Sequence, residues 1–175
     1  RALMASGDTL LTLFPQGGTP PATLFATNDI MVGTSAPAES IPVLDFDDTT
    51  IEYMDFYCLL PRNYAGGGIT ITFVWSGAAA TNAVVWSAAF RRVQDDLEDL
   101  DTAVQAYDYN NAAAGTAPSV IGEVSYDDVT FTNGADMDSV AIDEYFILRV
   151  RRVPTDAGDT LVGDASLHCL TVRET

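Results

Sequence analysis

The chain has 175 residues, of which 47% are hydrophobic, so it is long and apolar enough to bury a core and is not intrinsically disordered. Its net charge of −17 comes from 25 acidic and 8 basic residues, and each of the basic residues is an arginine. Such a surface repels nucleic-acid phosphates and anionic membranes, and the sequence has no apolar run of about 18 residues that would suit a transmembrane helix. We therefore predict no nucleic-acid partner and no membrane partner.

Strand patterns dominate the chain. Apolar and threonine side chains alternate with period two from Ile69 to Trp75, which is typical of a half-buried β-strand. The stretch from Val84 to Phe90 and that from Phe146 to Val150 repeat the alternation, whereas Ile51–Leu60 is apolar on both faces. In chain order, the predicted strands are Thr9–Phe14, Ile41–Phe46, Ile51–Leu60, Ile69–Ser76, Ala83–Val93, Ala103–Ala106, Gly122–Thr132, Tyr145–Val153 and Ser166–Arg173.

Glycine, proline and asparagine punctuate these strands, as in Gly66-Gly67-Gly68 and Asn133-Gly134, and no sustained helical period occurs. So many short strands in one chain predict an all-β fold, an antiparallel two-sheet β-sandwich of the jelly-roll type. An immunoglobulin-like sandwich is the alternative, although its spacing of cysteines around a tryptophan is missing. We divide the chain into an N-terminal arm or edge strand at residues 1–25 and a single β-sandwich domain at residues 26–175.

The alternating faces also predict which side chains fill the space between the sheets. Apolar parity changes between Tyr126 and Val129, so we expect a β-bulge at Asp127-Asp128 that restores the buried face. The predicted inter-sheet core consists of Phe73, Trp75, Trp86, Phe90, Phe131, Phe146 and Leu148.

The cysteine and acidic residues point to no bound metal or cofactor. Cys58 and Cys169 lie in predicted strands, where a buried free thiol is the expected state, and a disulfide between them is the alternative in an oxidising compartment. The acidic stretch Asp95–Asp101 offers oxygen ligands for Ca²⁺, but it lacks the EF-hand spacing, which favours a solvated loop. We predict no metal and no cofactor.

No catalytic motif is present. The single histidine, His168, lies in the last predicted strand on the face of Leu170 and Val172, and no recognisable nucleophile motif accompanies it. Pairs of carboxylates suited to glycoside hydrolysis arise by chance in so acidic a chain. We therefore predict that the protein is not an enzyme.

The aromatic residues divide into core and surface candidates. Trp75 and Trp86 lie on the apolar faces of their strands, which favours a place in the core. Tyr107 and Tyr109 lie in a polar stretch and are the candidate surface contacts. Exposed aromatic side chains of this kind can stack on sugar rings, so a glycan is one possible partner.

The two apolar faces of Ile51–Leu60 predict a covered surface. A two-sheet sandwich buries only one face of a strand in its own core, so the second face must meet a loop, the N-terminal segment or another subunit. We predict a homo-oligomer with an apolar contact. The candidate interface residues are Ile51, Tyr53, Phe56, Tyr57 and Leu59.

A set of short motifs extends over most of the chain, from about Pro21 to Arg173. The most distinctive runs from Leu60 to Ile71 and reads Leu-Pro-x-x-Tyr-x-Gly-Gly-Gly at its start; others run from Pro21 to Thr27, Pro42 to Asp47, Val85 to Arg92, Thr130 to Asp138 and Phe146 to Val150. Together these motifs resemble a group of small virion structural proteins of tailed bacteriophages. The resemblance implies a virion component that forms a trimer, binds a major capsid or tail protein and carries no catalytic residues.

Two functional hypotheses follow. The first is a non-enzymatic virion structural protein, a capsid decoration (cement) protein that binds and stabilises the capsid surface and is extracellular when released. The alternative is a carbohydrate- or receptor-binding domain of a phage fibre or a secreted protein. A broad apolar flank would favour assembly, whereas a groove lined by aromatic residues would favour sugar binding.

Overall fold

The structure is a computed structural model that describes residues 7–101 and 106–175. These residues fold as an all-β antiparallel two-sheet β-sandwich of the jelly-roll type, which confirms the predicted fold class. Its strands are β1 (Thr9–Leu13), β2 (Thr27–Val32), β3 (Ser40–Phe46), β4 (Tyr53–Leu59), β5 (Ile69–Gly77), β6 (Ala83–Val84), β7 (Trp86–Val93), β8 (Asn110–Asn111), β9 (Gly115–Thr116), β10 (Ser125–Phe131), β11 (Tyr145–Arg152) and β12 (Ala165–Glu174).

Two main sheets make the sandwich. The first has the strand order β10-β5-β12-β3-β2, and β1 pairs with the half of β12 that β3 leaves unpaired. The second has the order β4-β11-β7-β8, and β6 and β9 form a separate short ladder. The helical elements in the described residues are single 3₁₀ turns at Pro15–Gly17 and Ala135–Met137. Within the described residues, no helix is long and apolar enough to cross a membrane.

The N-terminal segment is joined to both sheets. β1 extends the first sheet, and Leu10, Leu11 and Leu13 pack against the core. Further along, backbone bridges connect Thr19 to Asp55 and Phe25 to Tyr53 at the edge of the second sheet. Residues 19–25 therefore run beside β4 and form one border of its outward surface.

The core between the sheets holds the side chains that the alternation predicts. Trp86 lies at its centre, stacked on Phe73 at a centroid distance of 5.1 Å and edge-on to Phe46 at 5.2 Å. Each predicted core residue belongs to the buried cluster, namely Phe73, Trp75, Trp86, Phe90, Phe131, Phe146 and Leu148.

The predicted bulge at Asp127-Asp128 is wrong. β10 pairs with β5 without a register shift, from Ser125 opposite Trp75 to Phe131 opposite Ile69. Asp127 instead turns toward the interior, where its carboxylate accepts a hydrogen bond from Nε1 of Trp75, and burial raises the pKa of Asp127. The inward position that was expected to need an extra residue is thus filled by an aspartate, which has a hydrogen-bond partner in the core.

A bulge does occur in β12, at His168, where the register against β5 shifts between Leu167 and Cys169. The extra residue takes His168 off the face of Leu170 and Val172, so its predicted place on that apolar face is wrong. The ring nitrogen Nε2 of His168 lies 2.8 Å from Oγ of the buried Ser76.

The Leu60–Gly68 motif builds a turn. The hydroxyl of Tyr64, which is buried, accepts a hydrogen bond of 3.0 Å from the backbone N–H of Gly68. The carboxylate of Glu174 accepts hydrogen bonds from the N–H groups of Ala65 and Gly67. Gly68 has a φ of 101°, which only glycine adopts without strain. The tyrosine and glycines of the motif are therefore explained by the structure of this turn.

A buried ion pair fixes the loop between β11 and β12. The side chains of Arg152 and Asp159 are 0% and 1% exposed, and Nη2 of Arg152 lies 2.7 Å from Oδ1 of Asp159. The guanidinium also donates to the backbone carbonyls of Phe46, Leu161 and Gly163. This network ties the loop to β3 and stabilises one end of the sandwich.

Both cysteines have free thiols, which is the state that the sequence favours. Cys58 lies in β4 and Cys169 in β12, so they belong to different sheets. Burial raises the pKa of Cys58 to about 11, which keeps this thiol protonated and unreactive near neutral pH.

Candidate functional site

The outward surface of the second sheet carries a concentration of aromatic and arginine side chains. In β4, Met54, Phe56 and Cys58 face the core, and Tyr53, Asp55, Tyr57 and Leu59 face away from it. The register of β11 against β4 and β7 places further side chains on this outer face, namely Tyr145, Ile147, Arg149 and Arg151 of β11 and Ser87, Ala89 and Arg91 of β7. We call this surface the outer face of the second sheet.

Tyr107 and Tyr109, the candidate surface contacts, lie on this outer face. The ring centroid of Tyr109 is 6.4 Å from that of Tyr53 and 6.0 Å from that of Tyr107. The guanidinium carbon of Arg149 lies 4.2 Å from the ring centroid of Tyr107 and 5.5 Å from that of Tyr53. Tyr53 and the neighbouring pair Tyr107 and Tyr109, which are more than 50 positions away in the sequence, therefore surround one arginine.

These residues line a groove at the border with the N-terminal segment. The groove has a volume of ≈ 410 Å³ and is bounded on its other side by Pro21, Thr23 and Leu24. We call it the tyrosine groove; its lining residues are Pro21, Thr23, Leu24, Tyr53, Tyr107, Tyr109 and Arg149.

Asp55 holds the floor of the tyrosine groove in place. Its carboxylate accepts two hydrogen bonds from Arg149, from Nε to Oδ1 and from Nη2 to Oδ2, each of 2.6 Å. Asp55 is 4% exposed, and this hydrogen bonding raises the pKa of Arg149 above its usual value. Because the pair is bidentate, the plane of the guanidinium is fixed relative to the tyrosine rings.

A second recess continues the surface along β4 and β11. Tyr107 and Arg149 form walls of both the groove and this recess, which has a volume of ≈ 250 Å³. Tyr57 and Tyr145 line it as a stacked pair with a centroid distance of 6.2 Å and an interplanar angle of 13°. Tyr53 and Tyr57 are four residues apart in one strand, which places their Cα atoms about 13 Å apart.

The chemistry of the groove is that of binding. Burial raises the pKa of Tyr109 to about 12 and also raises that of Tyr107, so both phenols remain protonated near neutral pH and can donate hydrogen bonds. Arg149 supplies further donors, the tyrosine hydroxyl oxygens can also accept hydrogen bonds, and the rings provide apolar faces. Hydroxyl-bearing ligands with apolar patches match this set of groups.

The structure divides the candidate interface residues. Tyr53 lines the tyrosine groove, Ile51 is half-buried, and Tyr57 and Leu59 are 47% and 59% exposed. The assignment of Phe56 to an interface is wrong, because Phe56 is 2% exposed and faces the core on the opposite side of β4 from Tyr57.

The side of β4 that faces away from the core is partly buried by other segments of the same chain. Tyr107 and Leu100, from the segment that follows β7, line the recess over Asp55 and Ile147. The N-terminal segment borders the same face through its backbone bridges to Tyr53 and Asp55. The argument for an intersubunit contact now rests on Tyr57 and Leu59 alone, and the homo-oligomer stays a prediction.

Sequence reasoning did not identify Asp55, Arg91, Tyr145 or Arg149 as site residues. The alternation of β11 does place Arg149 on the outer face, but its partner Asp55 is 94 positions away in the sequence. The predicted strand Ala103–Ala106, which would precede Tyr107, falls on residues 102–105 outside the described part of the chain, except for Ala106.

Two other features of chemical interest lie elsewhere. Ser76 and His168 form a serine–histidine hydrogen bond, but Ser76 is 1% exposed, so no substrate reaches its hydroxyl in this conformation. The stretch Asp95–Asp101 lies on the surface. Among the described residues, no group of three histidine, cysteine or carboxylate side chains is placed to hold a metal ion.

Comparisons with known proteins report on the fold. No protein-family model and no curated protein sequence matches this chain. The CBM22-1 xylan-binding domain of Xyn10C from Paenibacillus barcinonensis matches with a TM-score of 0.50 and 12% identity, over 97% of this chain and 96% of that one. A structure of carbohydrate-binding modules from the β-sandwich superfamily matches with a TM-score of 0.42 and 13% identity, over 97% of this chain and 62% of that one. At such identities, the likeness is one of fold.

Proposed function

We propose that the protein is a carbohydrate-binding domain and that the tyrosine groove is its binding site. The observation that carries the proposal is the arrangement of Tyr53, Tyr107 and Tyr109 around the Arg149–Asp55 pair. The C–H faces of a sugar ring pack on tyrosine rings, and its hydroxyls match the donors and acceptors between them. The bidentate pair and the stacked rings hold these groups in place before a ligand binds, which lowers the entropic cost of binding.

The fold supports this proposal without supplying its residues. The similar solved structure from Paenibacillus barcinonensis is that of a xylan-binding domain. A fold of this kind hosts many functions, and at 12% identity no individual residue can be carried over. The geometry of this chain's own groove therefore has to support the function.

The spacing of the aromatic residues favours a chain of sugars as the ligand. The Cα atoms of Tyr53 and Tyr57 are about 13 Å apart along β4, which is longer than one sugar ring. The tyrosine groove and the recess at Tyr57 and Tyr145 share the walls Tyr107 and Arg149. An oligosaccharide can therefore contact both, whereas a monosaccharide occupies only one of them.

The proposal predicts a large loss of binding when Tyr53 or Tyr107 is replaced by alanine. Truncating an aromatic residue at the centre of a binding site costs about 2 kcal/mol or more, which corresponds to about a 30-fold weaker affinity. Affinity electrophoresis against a panel of soluble polysaccharides identifies the ligand, and calorimetry with oligosaccharides from the retained polysaccharide measures the effect.

Tyr126 provides the matched control, because it is 66% exposed on β10 in the first sheet. Tyr126→Ala removes the same side chain and should leave the affinity unchanged. Retention of no polysaccharide by the native protein, or equal losses for Tyr53→Ala and Tyr126→Ala, would contradict the proposal.

The virion hypothesis rests on the resemblance of short motifs. Binding to a capsid or tail protein, assembly into a trimer, a location in the virion and the lack of catalysis stay predictions. A carbohydrate-binding domain is compatible with a fibre protein that attaches to a glycan, so the two hypotheses do not exclude each other.

A further inference from the structure

The outer face of the second sheet carries three arginines that differ in their partners. Arg149 is paired with Asp55, and Nη2 of Arg91 lies 3.2 Å from Oε2 of Glu98. Arg151 has no carboxylate within ion-pair distance among the described residues, whereas every other arginine in the described part of the chain has one. In a protein with 25 acidic residues, this unpaired guanidinium is unusual.

Arg151 is held beside the tyrosine groove by neutral groups. Its guanidinium carbon lies 3.6 Å from the ring centroid of Tyr109, and its Nε donates a hydrogen bond of 3.3 Å to Oγ of Ser87. Tyr109 also lines the groove with Tyr53 and Tyr107, and Arg151 lies directly opposite Tyr53 in the register of β11 against β4. Asp108, which lies between the two tyrosines in the sequence, faces a different recess with Asp136 and Asp138.

No hydrogen bond joins the terminal nitrogens of Arg151 to another residue in the described part of the chain, so these nitrogens can bind a ligand. An arginine has five N–H donors in a planar fork, and that fork matches both oxygens of a carboxylate. Stacking on Tyr109 orients the fork without neutralising its charge. The many carboxylates elsewhere on the surface act weakly at this point, since salt screens charges over about 10 Å at 0.1 M ionic strength.

We propose that the site recognises an acidic glycan and that Arg151 binds the carboxylate of a uronic acid unit. This inference rests on the proposed function, because it assigns a ligand class to the same groove. Tyr53, Tyr107 and Tyr109 contact the sugar rings, and Arg151, which neighbours Tyr53 and Tyr109, selects those chains that carry a negative charge beside the stacked unit.

The test compares two forms of one ligand. Glucuronoxylan fragments and the same fragments after carboxyl reduction differ only in charge at the uronic acid. The native protein should bind the acidic fragments about tenfold more tightly than the reduced ones, because a charge-assisted hydrogen bond is lost on reduction. The preference should shrink as salt is added.

Arg151→Gln should bind both forms with the affinity that the native protein shows for the reduced fragments. Arg173→Gln is the matched control, because it removes the same charge from β12 in the first sheet, where Arg173 is paired with Asp128. This control should retain the native preference, and circular dichroism checks that both variants are folded.

The outcomes separate this inference from the proposed function. Equal affinity of the native protein for both forms would overturn the acidic preference and leave the carbohydrate site intact. Loss of the preference in Arg173→Gln as well would also overturn it, because the effect would then come from overall charge. Binding of neither form, with no polysaccharide retained from the wider panel, would overturn both.

Discussion

Replacing Arg152 with methionine should lower the free energy of unfolding by about 3–5 kcal/mol, because the substitution leaves the buried carboxylate of Asp159 without its partner. Both side chains are almost completely inaccessible, at 0% and 1% exposure. The variant also leaves the carbonyls of Leu161 and Gly163 without the donors that Arg152 provides. Urea denaturation followed by tryptophan fluorescence measures the change.

Arg173→Met is the control for this prediction. Arg173 and Asp128 are 35% and 49% exposed, and such surface ion pairs contribute about 0–1 kcal/mol. The double variant Arg152→Met with Asp159→Asn should recover part of the loss, since it removes the unpaired charge. A loss below about 1 kcal/mol in Arg152→Met would show that this ion pair does not fix the end of the sandwich.

Replacing Phe146 with alanine should destabilise the protein by about 3–5 kcal/mol, because the deletion leaves a cavity between the two sheets. Phe146 is 0% exposed, and its ring centroid lies 5.3 Å from that of Phe90. Phe90 also makes an edge contact with Phe131 of the opposite sheet, at 4.9 Å. Phe90→Ala should therefore have an effect of similar size in the same denaturation experiment.

Leu59→Ala provides the comparison, because Leu59 lies in the same sheet but is 59% exposed. Exposed substitutions away from special features usually change stability by less than about 0.5 kcal/mol. A loss under 1 kcal/mol at both Phe90 and Phe146 would mean that the faces of β7 and β11 are assigned wrongly.

The period-two pattern was sufficient to predict the long strands and the core. β5, β7 and β11 alternate apolar and polar residues, and their apolar faces meet as expected. β2 was missed because it is an edge strand whose apolar residues Ile30 and Val32 are 56% and 58% exposed. A strand that does not contribute to the core carries no periodic signal for burial.

The turn chemistry and bulges were harder to predict than the strands. The alternation of apolar residues along β10 predicted an extra residue at Asp127-Asp128. That reasoning assumes that inward side chains are apolar, whereas Asp127 faces inward and accepts a hydrogen bond from Trp75. The bulge at His168 was missed because His168 was assigned to the same face as Leu170 and Val172, although the buried residues Leu167 and Leu170 are three positions apart. Such features depend on hydrogen-bond partners in other strands.

The site was predictable only in part, because its residues meet through long-range contacts. Tyr107 and Tyr109 stood out in the sequence as aromatic residues in a polar stretch. Their neighbours Tyr53 and Arg149 come from β4 and β11, and no local pattern indicates that these strands lie under residues 107–109. The assignment of Phe56 failed for the opposite reason, since a strand that is apolar on both faces does not reveal which face is inward.

The structure also bears on the choice between assembly and sugar binding. A groove lined by aromatic residues is present on the outer face, and Tyr107 and Leu100 of the same chain cover part of the surface beside it. An aromatic groove is the feature expected of a sugar-binding domain, whereas a broad apolar flank is the feature expected of an assembly protein. The groove therefore favours sugar binding. In β4, the large apolar side chains that are exposed are Tyr57 and Leu59, so this strand alone does not supply a broad apolar flank.

Mapping of the bound ligand by NMR tests the central claim most directly. The uniformly labelled protein is titrated with an oligosaccharide from the polysaccharide that it retains, and shifts of the backbone amide signals are followed. The proposal predicts that the largest shifts occur in β4, β11 and residues 106–109, with tyrosine ring signals broadened or shifted. Shifts confined to the separate cavity of ≈ 500 Å³ between Tyr64 and Ile142, or to the first sheet, would contradict a binding site in the tyrosine groove.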